Sequence, residues 1–172
     1  MSYIMVDIEA DGPIPGDYSM ISLGAVIVDS NLDKTFYGTF HPISNIYQEE
    51  ALNVSGFSRE ETLKFDDPKK TLENFKKWII VNSIGKPFFI SDNNGFDWMF
   101  VCWYFHHFLN KNPFGFSSTN LGSLYKGITK DMFQNFKHLR KTKHTHNPVD
   151  DAMGNAEALL AMKEQYNLKI KL

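Results

Sequence analysis

Three short stretches carry side chains whose types and spacing could do chemistry. The first is Asp7-Ile8-Glu9. Residues 3–9 read as a β-strand, and side chains alternate across a strand, so Asp7 and Glu9 share one face while Ile4, Val6 and Ile8 occupy the other. Two adjacent carboxylates resist burial unless a counter-ion joins them. A divalent cation meets that need; a wet edge strand would avoid it.

The second stretch is Asn93-Asn94-Gly95-Phe96-Asp97. It follows a short apolar strand expected at 87–91, and Asp97 falls in the first turn of a helix expected at 96–109. An acid there complements the helix dipole, and ligands also gather at the carboxyl ends of such strands. The third stretch is His146-Asn147-Pro148-Val149-Asp150-Asp151-Ala152. Asn147 suits an N-cap, Pro148 the first helical position and Asp150 the first turn, so those three have structural duties. Asp151 is different. It lies in line with Ala152, Ala156 and Leu159 on the packing side of the helix, where a carboxylate has no helical purpose. His146 precedes it in a loop.

Taken together, Asp7, Glu9, Asp97 and Asp151 make an oxygen-rich set suited to Mg²⁺ or Mn²⁺ rather than zinc. Two such ions can clamp the attacking and leaving oxygens of a phosphodiester. The attacking water then needs a base that works near neutral pH, and an imidazole such as that of His146 fits.

The elements that must position these groups follow from the hydrophobic pattern. Strands are expected at 3–9, 21–29 and 34–40, with a turn at Asn31-Leu32-Asp33, and a short helix at 48–54. Pro68 opens a helix of about 14 residues with Leu72, Phe75, Trp78 and Ile79 on one stripe. The strand at 87–91 and the helix at 96–109 follow, then helical pieces at 120–126 and 131–138. A last helix runs from Pro148 to about Tyr166. This order predicts one α/β domain over 1–172. Its mixed sheet combines a three-stranded antiparallel meander with parallel strands, and helices flank both faces.

Composition narrows the class. Of 172 residues, 42% are hydrophobic and 15% aromatic, which excludes an intrinsically disordered chain. The net charge of −2 argues against holding nucleic acid by bulk positive field, so phosphate binding would need a local patch or a metal. The single cysteine, Cys102, lies in an apolar run and excludes an internal disulfide. No apolar run approaches a membrane span and no secretion signal is visible, so a cytoplasmic protein is expected.

Asp7-x-Glu9, Asn93-x-x-Phe96-Asp97 and His146-x-x-x-x-Asp151-Ala152 together resemble the three-motif signature of DEDDh 3′–5′ exonucleases. These belong to the RNase-H-like superfamily, with RNase T, oligoribonuclease and polymerase proofreading domains. The run from Asp7 to Pro13 and the short length look most like RNase AS and related small exoribonucleases. The resemblance implies an RNase-H-like fold and a pair of Mg²⁺ ions, replaceable by Mn²⁺, held by Asp7, Glu9, Asp97 and Asp151. Glu9 would also contact the terminal 3′-OH, and His146 would act as general base. It further implies 3′–5′ hydrolysis of single-stranded or 3′-overhang nucleic acid to nucleoside 5′-monophosphates, with RNA preferred over DNA, and by analogy a homodimer. Two alternatives stay open: an oligonucleotidase acting on very short fragments, and a non-catalytic nucleic-acid-binding module.

Substrate contacts are sought nearby. Phe57 occupies the place where family members put an apolar-Gly-apolar segment beside the terminal base, and either stacks there or caps the core. Phe96 flanks Asp97 and is a weaker candidate for stacking. The stretch 126–146 carries Lys126, Lys130, Lys137, Arg140, Lys141 and Lys143 against Asp131. Arg140 and Lys143 are its candidates for tracking backbone phosphates, unless the run is simply a solvated loop.

Overall fold

The computed structural model describes residues 1–170 and 172. Its centre is a five-stranded sheet in the order β3-β2-β1-β4-β5. The strands are β1 (Ser2–Ala10), β2 (Met20–Ile27), β3 (Thr35–Thr39), β4 (Pro87–Ser91) and β5 (Ser118–Asn120). The first three form the expected antiparallel meander, and β4 and β5 add to β1 in parallel. The helices are α1 (Glu49–Ser55), α2 (Arg59–Thr62), α3 (Pro68–Asn82), α4 (Asn94–Leu109), α5 (Leu121–Thr129) and α6 (Pro148–Gln165). The mixed sheet, an antiparallel meander extended by parallel strands and flanked by helices, is the architecture the sequence predicts.

The strand carrying Asp7 and Glu9 is the middle strand, not an edge. Alternation along β1 divides its side chains between two cores. Ile4, Val6 and Ile8 pack with Leu72, Phe75, Phe100 and Tyr104 of α3 and α4. Met5 packs on the other side with Ala152, Ala156 and Leu159 of α6. Asp7 and Glu9 therefore point to the face that α6 covers.

Two glycines set how closely the elements approach. Gly24 of β2 pairs with Asp7 on one side and with Tyr37 of β3 on the other. A Cβ at Gly24 would lie 2.2 Å from the carbonyl carbon of Pro148 and 2.3 Å from the amide nitrogen of Val149. The N-terminus of α6 thus sits directly on the β2 backbone, which brings Asp151 down beside β1. On α6, a Cβ at Gly154 would meet the Arg140 guanidinium at 2.4 Å. The absence of a side chain there makes room for Arg140 to cross the helix.

The expected helix at 131–138 does not form. Lys130 ends α5 in the left-handed conformation. Asp131 then accepts a hydrogen bond from the Phe133 amide, and Asn135 one from the Lys137 amide. These side-chain turns compete with helix, and only a single 3₁₀ turn at Lys137–Leu139 remains. The short helix α2 and strand β5 were not expected. α2 is closed by a capping box between Ser58 and Glu61, and β5 is a polar Ser-Thr-Asn segment without alternation.

Candidate active site

Asp7 and Glu9 come from β1, Asp97 from the first turn of α4, and Asp151 from the first turn of α6. Carboxylate oxygens of Asp7, Glu9 and Asp151 lie within 4.8 Å of one another. Asp97 stands beside this trio, and its charge acts on Asp7. It is 2% exposed, and its Oδ2 has no hydrogen-bond partner.

Burial pushes the Asp7 carboxyl well above the ordinary range, and repulsion from Asp97, Glu9 and Asp151 adds to it, with Arg140 pulling the other way. Glu9 is pushed up to about 7, first by burial and then by Asp151. Burial raises Asp97 to about 8, against a smaller opposing effect of the Ser91 hydroxyl. A folded protein that crowds carboxylates until they hold protons near neutral pH lacks positive charge at that point. The orphaned Asp97 oxygen and the all-oxygen donor set both fit a hard divalent cation.

Asp151 is held by more than the helix. Its Oδ1 accepts from Arg140 Nη2 at 2.8 Å and from the Thr145 amide, and its Oδ2 accepts from the His146 amide at 3.0 Å. His144 Nδ1 stands 2.7 Å from Oδ1. Segment 144–146 is wrapped around this carboxylate, with His146 at a φ of 61°. The His146 ring is half exposed and its Nδ1 is 3.8 Å from Glu9 Oε1. It overhangs the trio from a loop, as its place in the sequence suggests. Asn147 caps α6 by accepting from the Val149 amide, and Asp150 accepts from the Thr145 hydroxyl. Asn147 therefore has the capping role that the sequence assigns it, and Asp150 stands in the first turn of α6 as expected, with the Thr145 contact in addition.

The expected substrate contacts separate. Phe57 is partly exposed and lines a cavity of about 150 Å³ with Tyr37, Ser55 and His146. Phe96 is partly buried and packs on Phe100 at 4.9 Å, against the core of α3 and α4. Lys143 is exposed on a 250 Å³ groove with Lys137, Lys141 and His144. Arg140 borders that groove, but its guanidinium is turned inward and only 8% exposed, bonded to Asp151. Its charge is committed to a carboxylate of the site instead of being offered to solvent.

Sequence reasoning missed Tyr37 and Asp92, and it reads His144 as a loop residue or a phosphate contact, whereas the ring stands against Asp151. The register that pairs Asp7 with Gly24 and Gly24 with Tyr37 puts the tyrosine on the Asp7 face. Only the hairpin register, which the sequence does not print, reveals it. Asp92 is half-buried at the end of β4; burial raises its carboxyl, opposed by Lys137, Arg140 and His144. A further acid, Asp11, is structural. It is fully buried and paired with Arg59 Nη1 at 3.0 Å, which ties α2 to the end of β1.

A central strand bearing two carboxylates, joined by one acid from each of two helices and a histidine on the adjoining loop, defines the class: an RNase-H-like nuclease fold of the DEDDh type. No known family model matches the sequence. The 3′-5′ DNA exonuclease Cap18 of Escherichia coli is 39% identical over 133 residues, which cover 74% of this chain and 69% of that protein. The chain belongs to the DEDDh family of 3′–5′ exonucleases. Its fold is shared with the nuclease domain of 3′hExo, a DEDDh family member bound to rAMP. That match has a TM-score of 0.79 and 17% identity, and covers 99% of this chain and 96% of that domain. Exonuclease I of E. coli in complex with a dT13 oligonucleotide matches with a TM-score of 0.77 and 13% identity, over 96% of this chain and 42% of that one.

Proposed function

We propose that the protein is a metal-dependent exonuclease that removes nucleoside 5′-monophosphates from the 3′ ends of single-stranded DNA. The observation that carries the reading is the convergence of Asp7, Glu9 and Asp151 within 4.8 Å beside a buried, partnerless Asp97 oxygen. Those four carboxylates would hold a pair of Mg²⁺ ions, which Mn²⁺ can replace. When bound, the metal supplies Lewis-acid activation of water and neutralises charge developing on the phosphate.

The protein's own groups do the rest. His146 Nδ1 or Nε2 accepts the proton of the attacking water; its half-exposed ring on a loop can turn toward either face of the trio. The amides of Thr145 and His146 fix Asp151 so that its carboxylate stays aimed at β1. Glu9 takes the terminal 3′-OH. Phe57 and Tyr37 offer ring faces to the terminal nucleoside at the cavity beside His146. Phe96 has too much of its ring in the core to stack in the same way and instead packs the wall behind Asp97. Lys143, with Lys137 and Lys141, meets phosphates further along the strand, while Arg140 serves the site through Asp151.

The RNA preference implied by resemblance to RNase AS gives way here to DNA because the 39% identical relative is a DNA exonuclease. Strands of identical sequence in DNA and RNA, each offered single-stranded and as a 3′ overhang with Mg²⁺, test this directly. Faster release of mononucleotides from DNA supports the proposal; faster release from RNA restores the ribonuclease reading. A length series from two to twenty nucleotides separates an exonuclease from an oligonucleotidase.

A further inference from the structure

Asp151 faces two different sets of donors. Toward β1 it meets the oxygens of Asp7 and Glu9. Toward the loop it meets the imidazoles of His144 and His146, and one donor atom from each of these three residues lies within 4.8 Å of the others. His144 Nδ1 is already 2.7 Å from Asp151 Oδ1, and the two rings meet edge to face with centroids 4.2 Å apart. Both rings are about half open to solvent, at 55% and 46%.

The two sets differ in chemistry. Four carboxylates suit Mg²⁺ and Mn²⁺. Two imidazoles and one carboxylate are the donor set of a zinc site, with ordinary Zn–N distances of about 2.0–2.1 Å. For nitrogen-rich sites affinity rises from Mn²⁺ toward Zn²⁺ and Cu²⁺. The His144 Nδ1–Asp151 Oδ1 distance of 2.7 Å is that of a proton-bridged pair, and it needs to open only to the roughly 3.3 Å that separates two ligands of a tetrahedral zinc. A ring nitrogen of His146 lies within 4.8 Å of a donor atom on each of those two residues, on a half-exposed side chain.

We infer that His144, His146 and Asp151 form a second, transition-metal site, selective for Zn²⁺, that switches the nuclease off. Zinc on this site takes the ring nitrogen lone pair that His146 needs to accept a proton from water. It also draws the Asp151 carboxylate toward the loop and away from Asp7 and Glu9. Zinc binding itself depends only on the three side chains, whereas the inhibition rests on the nuclease reading.

The test uses ZnCl₂ and the intact chain. Calorimetry on Asp7→Asn protein, in which the carboxylate set is disabled, should show one zinc bound with a Kd in the micromolar range or tighter. Adding His144→Ala should weaken it at least tenfold. Co²⁺ in the same protein should give the intense visible absorption of a low-coordinate nitrogen-containing site. In the Mg²⁺-supported reaction, one equivalent of zinc should stop cleavage, and His144→Ala, compared with its own zinc-free rate, should need at least tenfold more. Unchanged zinc affinity on removing His144 would overturn the proposal. Zinc binding that depends on His144, in a protein without nuclease activity, would uphold the site and overturn the nuclease reading. Nuclease activity without such binding would do the reverse.

Discussion

Gly24→Ala tests how the site is assembled, because the structure fixes the size of the disturbance. The new methyl would lie 2.2 Å from the Pro148 carbonyl carbon, where ordinary contact begins near 3.4 Å. The obstacle is backbone, so it cannot turn aside as a side chain would. Either β2 or the first turn of α6 must move by roughly 1 Å. Overpacking of this kind costs about 1–3 kcal/mol, or a fall in Tm of about 2–12 °C for a chain of this size. Asp151, three residues beyond Pro148, moves with the turn and leaves the 4.8 Å grouping with Asp7 and Glu9. A misplacement of about 1 Å in a catalytic group can cost about 10²-fold in rate. The assays are shortening of a 5′-labelled single strand and the rise in Tm on adding Mn²⁺. The variant should lose about two orders of magnitude in rate and most of the Mn²⁺ stabilisation while still melting cooperatively. A Gly24→Ala protein with wild-type rate and wild-type Mn²⁺ response would refute the claim that the close approach of α6 to β2 builds the site.

Other consequences follow from the same geometry. In EDTA the folded protein keeps protons on Glu9 up to about 7 and on Asp97 up to about 8, whereas the unfolded chain releases them near 4.5 and 3.8. Folding therefore binds protons, and metal-free stability should fall as pH rises from about 5 to 9, with Glu9 alone contributing up to about 3 kcal/mol. Melts across that range should show a declining Tm that saturating Mn²⁺ flattens; a flat or rising curve in EDTA would contradict it. Asp97→Asn should raise the metal-free Tm at pH 8.5 while abolishing the Mn²⁺ shift and the activity. Arg140→Met should cost about 3–5 kcal/mol, because it leaves Asp151 buried without its cation; urea denaturation measures this, and a change below 1 kcal/mol would mean the pair is idle. Phe57→Ala should raise KM several-fold with little change in kcat, since stacking on a base is worth about 1–3 kcal/mol; an unchanged KM assigns the ring to its edge contact with Phe65.

Much of the site was legible because it depends on local periodicity. The two-residue repeat of β1 put Asp7 and Glu9 on one face, and the caps of α6 separated Asp151 from Asp150. What failed depends on distance in sequence. A charge count reads Arg140 as one cation in a basic strip. It cannot register that Gly154, fourteen residues later, leaves space for the guanidinium to turn inward to Asp151. Tyr37 reaches the Asp7 face only through a hairpin register set where Asp29 accepts from the amides of Asn31 and Leu32. The expected helix at 131–138 overlooked two short polar side chains that satisfy the backbone locally. β5 is three polar residues whose place comes from pairing with β4, not from any pattern of their own.

The central claim is that four carboxylates and one imidazole make this chain a metal-dependent 3′–5′ exonuclease. It is tested most directly by incubating 5′-labelled single-stranded DNA with wild-type, Asp7→Asn and His146→Ala proteins, in Mg²⁺ and in EDTA. The wild type should shorten the strand stepwise from the 3′ end in Mg²⁺ alone, and both variants should fall by at least two orders of magnitude. No shortening by the wild type, or equal shortening by Asp7→Asn, would contradict it.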